Sequence, residues 1–302
     1  MATEIPFRRE FAFRYGEAET LSPLIRRVVA RNASPFTFKG TGTYIVGRGT
    51  VAIIDPGPAM DDHVAAVLAA VAHETVTHIV VTHTHLDHSP AAAAVKRATG
   101  ARSFGFGPHG SGRADLEPGV VEEGGDRDFH PDVALRDGDT LNGPGWSLTA
   151  VETPGHTSNH LCFALPEENV LFTGDHVMGW STSVIAPPDG DMGAYLHSLD
   201  KLLARGDARY WPTHGPSIDD PKPYVRAFIA HRRERSDAIR TRLKAGDRTI
   251  PEIVAKVYAG LDPRLTTAAG RSVLAHLIEM IERGVAASDG PPSPAARFRP
   301  QG

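Results

Sequence analysis

Residues 81–90 read VTHTHLDHSP. Within six of these positions stand His83, His85, Asp87 and His88, and each of those side chains carries a lone pair that can hold a metal ion. The residues just before them, Ile79, Val80 and Val81, are apolar and β-branched, so HIVVT at 78–82 reads as a strand running out of a core into a polar cluster. Just after them, Ser89 and Pro90 fit the cap and first position of a helix, AAAAVKRAT continues it and Gly100 ends it. His83 and His85, two apart in extended chain, point to one side and can chelate one ion, while the turn at Pro90 swings Asp87 and His88 toward a second.

Working outward, the same arrangement recurs along the chain. Four times an apolar strand leads at once into a metal-capable residue: HIVVT into His83, LTAVETPG into His156, VLFTG into Asp175 and ARYWPT into His214. Loops leaving the carboxyl ends of strands in an α/β sheet converge on one crevice, so these separated residues are expected to form one site. His83, His85, His88, His156 and His214 supply imidazoles, and Asp87 and Asp175 supply carboxylates, which makes seven ligands. A single tetrahedral zinc takes at most four, whereas two metals sharing a carboxylate need about seven and a bridging water. The expectation is two divalent ions, zinc first, with iron or manganese also compatible with histidine and carboxylate donors.

The rest of the chain supplies a scaffold. TYIV (43–46) and TVAIID (50–55) flank Gly47-Arg48-Gly49 and suggest a hairpin, residues 61–73 have helical apolar spacing, and the strand–loop–helix–strand alternation gives an α/β class. Residues 104–131, rich in Gly, Pro and charge, read as a long loop or lid. Strands WSLTAV, LCFAL and VLFTG follow, then a helix near 193–205 and a strand at 208–211. Pro221 and Pro223 mark a module boundary, so residues 1–221 form one domain and 222–285 a small all-α, winged-helix-like module of three helices, with a Pro/Ser/Ala-rich tail over 286–302 expected to be disordered. Charge divides at the same place: residues 1–221 hold 17 Lys and Arg against 28 Asp and Glu, and residues 222–302 hold 15 against 8. A basic module could meet a polyanion, could present a solvated helix face, or could form a homodimer surface.

With 302 residues and 41% apolar content the chain can bury a substantial core. Its start, MATEIPFRRE, has no apolar signal region, and no apolar run approaches the roughly 20 residues needed to cross a bilayer, so a cytoplasmic protein without a membrane span is expected. Cys162, the only cysteine, allows no internal disulfide and sits in the strand LCFAL as a core residue.

The ordered motifs THTHLDH (82–88), TPGHT (153–157), TGDH (173–176) and PTHGP (212–216) resemble the metallo-β-lactamase superfamily over roughly residues 20–220. The resemblance implies an αβ/βα sandwich with His83, His85 and His156 on a first metal, Asp87, His88 and His214 on a second, and Asp175 between them. From GDHVMGW onward the chain is similar to the lactamase-like subgroup with a winged-helix appendage, which includes single-strand-specific endoribonucleases and acyl-carrier thioesterases.

Two such cations make hydroxide available near neutral pH and polarise the electrophile, so hydrolysis is the expected chemistry, with Asp87 also orienting the nucleophile. His85 stands where the superfamily's diiron oxygen reductases carry a carboxylate, which disfavours redox chemistry. His160 and His176, close in sequence to ligands, are candidates for a pocket-facing acid or hydrogen-bond donor. Asp55 is a candidate to hydrogen-bond a ligand histidine, and Trp180 and the stretch from Phe104 to Gly112 are candidates to shape the pocket. His63, His73, His109, His130, His197, His231 and His276 have no such context. Three functions compete: hydrolysis of a small-molecule thioester or other carboxyl ester, cleavage of single-stranded RNA, and nucleic-acid-binding regulation with a structural metal site.

Overall fold

The structure is a computed structural model and describes residues 3–113 and 124–301. Seven strands form the first sheet in chain order: β1 (Glu19–Thr20), β2 (Ile25–Val29), β3 (Gly42–Arg48), β4 (Thr50–Ile54), β5 (Thr75–Val80), β6 (Arg102–Gly105) and β7 (Val133–Ala134). β1 to β4 pair antiparallel, with β3 and β4 the expected hairpin, and β4 to β7 pair parallel. Five strands form the second sheet, β8 (Thr140–Gly143), β9 (Trp146–Glu152), β10 (Leu161–Leu165), β11 (Val170–Gly174) and β12 (Arg209–Pro212). They are antiparallel except for β11 with β12.

Period-two alternation on both faces builds the layers. On β3 and β4, Tyr44, Val46, Ala52 and Ile54 face inward and meet Leu148, Phe163 and Phe172 of the second sheet. Ile45, Val51 and Ile53 face outward under α1 (Asp61–Ala70) and α2 (Ala92–Thr99), which bury Val67 and Val95. The outer face of the second sheet, with Cys162 and Leu171, is covered by α3 (Met192–Ala204) and by the first half of α4 (Pro221–Lys244). The result is an α/β fold of four layers, helices, sheet, sheet, helices.

Ser89 does not cap the helix after the histidine cluster. The N-cap of α2 is Ala91, without a side-chain bond, and Ser89 Oγ instead donates to buried Asp126 Oδ2 at 2.5 Å. Ser89 lies one turn ahead of the helix, its backbone carbonyl accepting from the Ala92 N–H at 2.9 Å, and its side chain is turned to Asp126. The left-handed Gly100, at φ 73°, does end α2.

α5 (Ile250–Val257) and α6 (Thr266–Glu282) pack on the second half of α4, burying Ile239, Leu243, Ile253, Val273 and Leu277. One helix thus serves two cores, with Tyr224, Val225 and Phe228 in the core of the sandwich and Ile239 and Leu243 in that of the module. The chain end corrects the expectation of disorder over residues 286–302. β13 (Ala286–Ser288) and β14 (Phe298–Pro300) pair antiparallel, and Phe298 is 1% exposed within the module core. A proline-rich composition argues against packing only on average; here one aromatic anchor outweighs it. Of the loop expected over 104–131, residues 114–123 lie outside the described residues. Among the described residues no helix is long and apolar enough to cross a membrane.

Candidate metal centre

β5, β9, β11 and β12 all discharge their loops at one edge of the sandwich, and a buried carboxylate gathers two of those loops. Asp55 follows β4 at a left-handed φ of 49° and is fully buried. Its Oδ1 accepts from the Thr82 N–H at 2.8 Å. Its Oδ2 accepts from the hydroxyls of Thr82 and Thr213, each at 2.8 Å, and from His88 Nδ1 at 2.9 Å. Four donors on one aspartate join the loop after β5 to the loop after β12, the role expected of Asp55 toward a ligand histidine.

This arrangement also sets the tautomers. The Thr82 hydroxyl is committed to Asp55, so His83 Nδ1, 3.1 Å away, donates to it and leaves Nε2 with a free lone pair. His88 Nδ1 donates to Asp55, His156 Nδ1 to the Val184 carbonyl at 2.6 Å, and His214 Nδ1 to the Gly40 carbonyl at 3.2 Å. In the neutral form each of the four rings therefore presents an Nε2 lone pair to the centre. His85 turns Nδ1 inward instead, 3.0 Å from His83 Nε2 and 3.1 Å from His156 Nε2.

All seven expected ligands come together as three overlapping groups whose donor atoms lie within 4.8 Å of one another: His83, His85 and His156; His83, His88 and Asp175; Asp87, His88 and His214. Asp175 reaches toward both sides, with Oδ2 3.7 Å from His156 Nε2 and Oδ1 3.4 Å from His214 Nε2. Bonds of about 2.0–2.1 Å in a tetrahedral site set ligand atoms about 3.3 Å apart, and the observed separations of 3.0 to 3.7 Å bracket that value. His88 Nε2 is buried without a hydrogen-bond partner, an arrangement that costs free energy unless a cation binds there, and His214 Nε2 faces Asp87 Oδ2 at 3.0 Å and Asp175 Oδ1 at 3.4 Å, donor atoms that one cation could share. The donor set fits metal.

Electrostatics agree. Burial by itself would raise the Asp87 and Asp175 carboxyls, but His88 and His214 outweigh it and hold both below the ordinary carboxylate range. Burial likewise opposes charge on His214, yet Asp175 and Asp87 push it up to about 10, and His88 is raised for the same reason. His83 goes the other way, held neutral by burial and by the neighbouring histidines. The pocket is built to stabilise positive charge beside its carboxylates.

A cavity of about 680 Å³ opens onto His85, Asp87, His156 and Asp175. One wall carries Phe36, Leu86, Met178, Val184 and Ala186, and the other is made by the C-terminal module through Arg264, Thr267, Ala268 and Arg271. His160 and His176 do not reach it. His160 is 1% exposed, with Nδ1 2.8 Å from Thr153 Oγ1 and Nε2 accepting from the Asp175 N–H at 3.3 Å, so it braces the backbone at Asp175. His176 is fully buried against Tyr195, and burial pushes it down to about 3, which leaves it neutral and unsuited to donate a proton. Trp180 stacks on Phe38 with ring centroids 4.8 Å apart, and neither it nor residues 104–112 line this cavity.

The residues that sequence reasoning missed are mostly supports. His109 Nδ1 lies 2.9 Å from Thr84 Oγ1 and its Nε2 3.9 Å from Asp189 Oδ2, and Asn159 Nδ2 donates to the same threonine hydroxyl at 2.8 Å. These contacts span 25 to 80 positions of chain, and no local pattern marks them.

Two packed sheets flanked by helices, with a histidine and aspartate centre at one sheet edge, define an αβ/βα sandwich protein able to bind metal. The chain belongs to the metallo-beta-lactamase superfamily, whose pattern matches residues 37–214, and residues 249–291 match the beta-lactamase associated winged helix domain. An atrochrysone carboxyl ACP thioesterase of Aspergillus terreus is 30% identical over 273 residues, 84% of this chain and 78% of that protein. Another, AgnL7 of Paecilomyces divaricatus, is 32% identical over 222 residues, 72% of this chain, and the match spans 64% of the relative's own length. Among solved structures, the metallo-beta-lactamase family protein TTHA1429 of Thermus thermophilus superposes with a TM-score of 0.75 at 24% identity, over 93% of this chain and all of the other, which shows the shared fold.

Proposed function

We propose that the protein is a metal-dependent hydrolase of a thioester or related carboxyl ester, using a pair of divalent ions, zinc by preference of the imidazole-rich donors. His83, His85 and His156 would hold one ion, Asp87, His88 and His214 the other, and Asp175 would bridge them. When bound, such a pair supplies Lewis acidity, lowering the pKa of a water and polarising a carbonyl oxygen. The chain's own groups do the rest. The Asp87 side chain is 27% exposed against 10% for Asp175, so of the two carboxylates lining the cavity it is the more open and the one positioned to orient the attacking water. The apolar wall from Phe36 to Ala186 seats an acyl group and excludes bulk water around the carbonyl.

The observation that carries the reading is the lining of the cavity: Phe36, Leu86, Met178, Val184 and Ala186 set an apolar wall beside the clustered histidines and carboxylates, which suits an acyl chain next to the scissile carbonyl. The thioesterase names of the relatives support the same reading. An RNA-cleaving alternative would require a basic track leading to the centre, and the cavity offers two arginines.

Metal-loaded protein and His83→Ala should be assayed side by side on acyl thioesters, oxygen esters and labelled single-stranded RNA. Thioester turnover lost on chelation and in His83→Ala is expected; metal-dependent RNA cleavage without thioester turnover would overturn the reading.

A further inference from the structure

Another cavity, of about 280 Å³, lies beside the one over the metal centre and shares Phe36, Met178, Val184 and Ala268 with it. α4 contributes His231, Arg232 and Arg235 to its lining, and the segment after Met178 contributes Trp180. Among the described residues no aspartate or glutamate lines it. Its charged side chains are the two arginines, and the partners of each are neutral. Arg232, 3% exposed, donates through Nη2 to the Ser183 carbonyl and lies over the Tyr195 ring at 5.2 Å. Arg235 donates through Nη1 to the Val257 carbonyl at 2.8 Å and through Nε to His231 Nε2 at 3.4 Å, and it lies over the Tyr258 ring at 4.7 Å. These contacts fix where the two guanidinium groups stand without cancelling their charge. A buried arginine is ordinarily matched by a carboxylate, and among the described residues neither of these forms an ion pair with one.

The hydrogen-bonding capacity left over in the lining is all of one kind. His231 Nε2 accepts from Arg235, so in the neutral ring Nδ1 carries the hydrogen. Burial, then the two arginines, pushes this histidine down to about 4, which keeps it neutral. His231 Nδ1, Arg232 Nε and Trp180 Nε1 are each buried without a hydrogen-bond partner, and all three are N–H donors. Buried donors without acceptors cost free energy. Three of them beside two unmatched positive charges define the complement, a negatively charged group with several acceptor oxygens.

We propose that this cavity is an anion-binding subsite in which Arg232 and Arg235 hold a carboxylate or phosphate group. That group has two sources: the far end of a substrate lying across the shared residues from the metal centre, or a free anion acting as an effector. Anion binding stands apart from the hydrolase reading above; the substrate-borne source rests on it.

Calorimetric titration of the full chain with inorganic phosphate and with adipate reads binding, and repetition after chelation separates this cavity from any bound metal. Binding that survives chelation is expected, weakened at least about tenfold in Arg232→Gln and in Arg235→Gln and partly kept in Arg235→Lys. Matched circular dichroism and Tm check folding, and the half-buried Arg235 carries the test if Arg232→Gln does not fold. Adipyl, suberyl and sebacyl thioesters of N-acetylcysteamine, each beside its uncharged analogue of equal length, then assign the source in the metal-loaded protein. A KM at least about tenfold lower for one charged member, lost in Arg235→Gln with kcat little changed, makes the anion substrate-borne. A change in turnover of the uncharged thioesters on adding phosphate, absent in Arg235→Gln, makes it an effector. Arginine-dependent phosphate binding with no turnover of any thioester would sink the hydrolase reading and leave the subsite standing. Neither anion binding nor a preference for charged thioesters, or either one unchanged in both glutamine variants, overturns the proposal.

Discussion

Asp55 shows how much a single side chain outside the ligand set can organise. It accepts from Thr82, Thr213 and His88 at once, and its left-handed backbone at φ 49° is a conformation that asparagine also tolerates. Asp55→Asn is therefore a clean test: the backbone can stay, but one acceptor oxygen becomes an NH₂ that, in either orientation, faces at least one donor, the Thr82 N–H or the three groups at Oδ2. Metal affinity should fall by about 10–100-fold, measured by competition with a chromogenic chelator, with little change in circular dichroism. At the same scale the seven clustered donors were legible in the chain, because four of them crowd into residues 83–88 and each of the other three follows an apolar strand at once. The histidines His160 and His176 were misread for the same reason: nearness in sequence to a ligand does not decide on which side of a loop a ring is buried.

At the scale of elements, the loop joining β9 to β10 is held to α3 by close backbone packing and by Ser198 Oγ, which donates to the Pro154 carbonyl at 2.8 Å. Gly155 has φ 138°, and a Cβ there would lie 2.3 Å from Tyr195 Cα, while its carbonyl accepts from the Asp191 N–H at 2.9 Å. Gly155→Ala must push the loop off the helix, and His156 with it. Loss of metal at the three-histidine group is expected before loss of the fold, and cobalt substitution followed by visible absorption would show one weakened site. The hairpin of β13 and β14 offers a second test. Phe298 is 1% exposed and its N–H donates to the Arg248 carbonyl at 2.8 Å, so Phe298→Ala should destabilise by about 3–5 kcal/mol in denaturant titration. A chain end that contributed nothing would show no change.

For the whole molecule, α4 makes the sandwich and the module one cooperative body, since it is buried in both cores and Arg232 on it donates to the Ser183 carbonyl and lies over the Tyr195 ring at 5.2 Å. Calorimetry should show one unfolding transition, which Phe298→Ala moves down without splitting; two separated transitions would refute the shared core. Acid sensitivity follows from three histidines away from the clustered donors, His63 and His276 buried and His231 half-buried. Burial first, then nearby arginines, pushes His276 down to about 3 and His231 to about 4, and burial pushes His63 to about 4. The unfolded chain takes up these protons near the ordinary value of 6.5 and the folded chain does not. Stability is thus intact above about pH 6.5 and is lost progressively as pH falls toward 4 and below. The urea midpoint should drop across that window, and His276→Asn, which removes one titrating group, should flatten the drop.

The sequence by itself determined the strands that alternate, the seven donors at their ends, and hence the superfamily and the edge at which the centre forms. These features are carried by short-range spacing, where side-chain period and chelate geometry act within a few residues. Only the tertiary structure decided what surrounds that centre: Asp55 as common acceptor for Thr82 and Thr213, His109 and Asn159 behind Thr84, the burial of His160 and His176, and Arg232 and Arg235 at the cavity beside it. The tail belongs with them, because Phe298 is ordered by a core formed from α4, α5 and α6. Such contacts join residues tens to hundreds of positions apart, and their free energy comes from packing and desolvation, which no local pattern encodes.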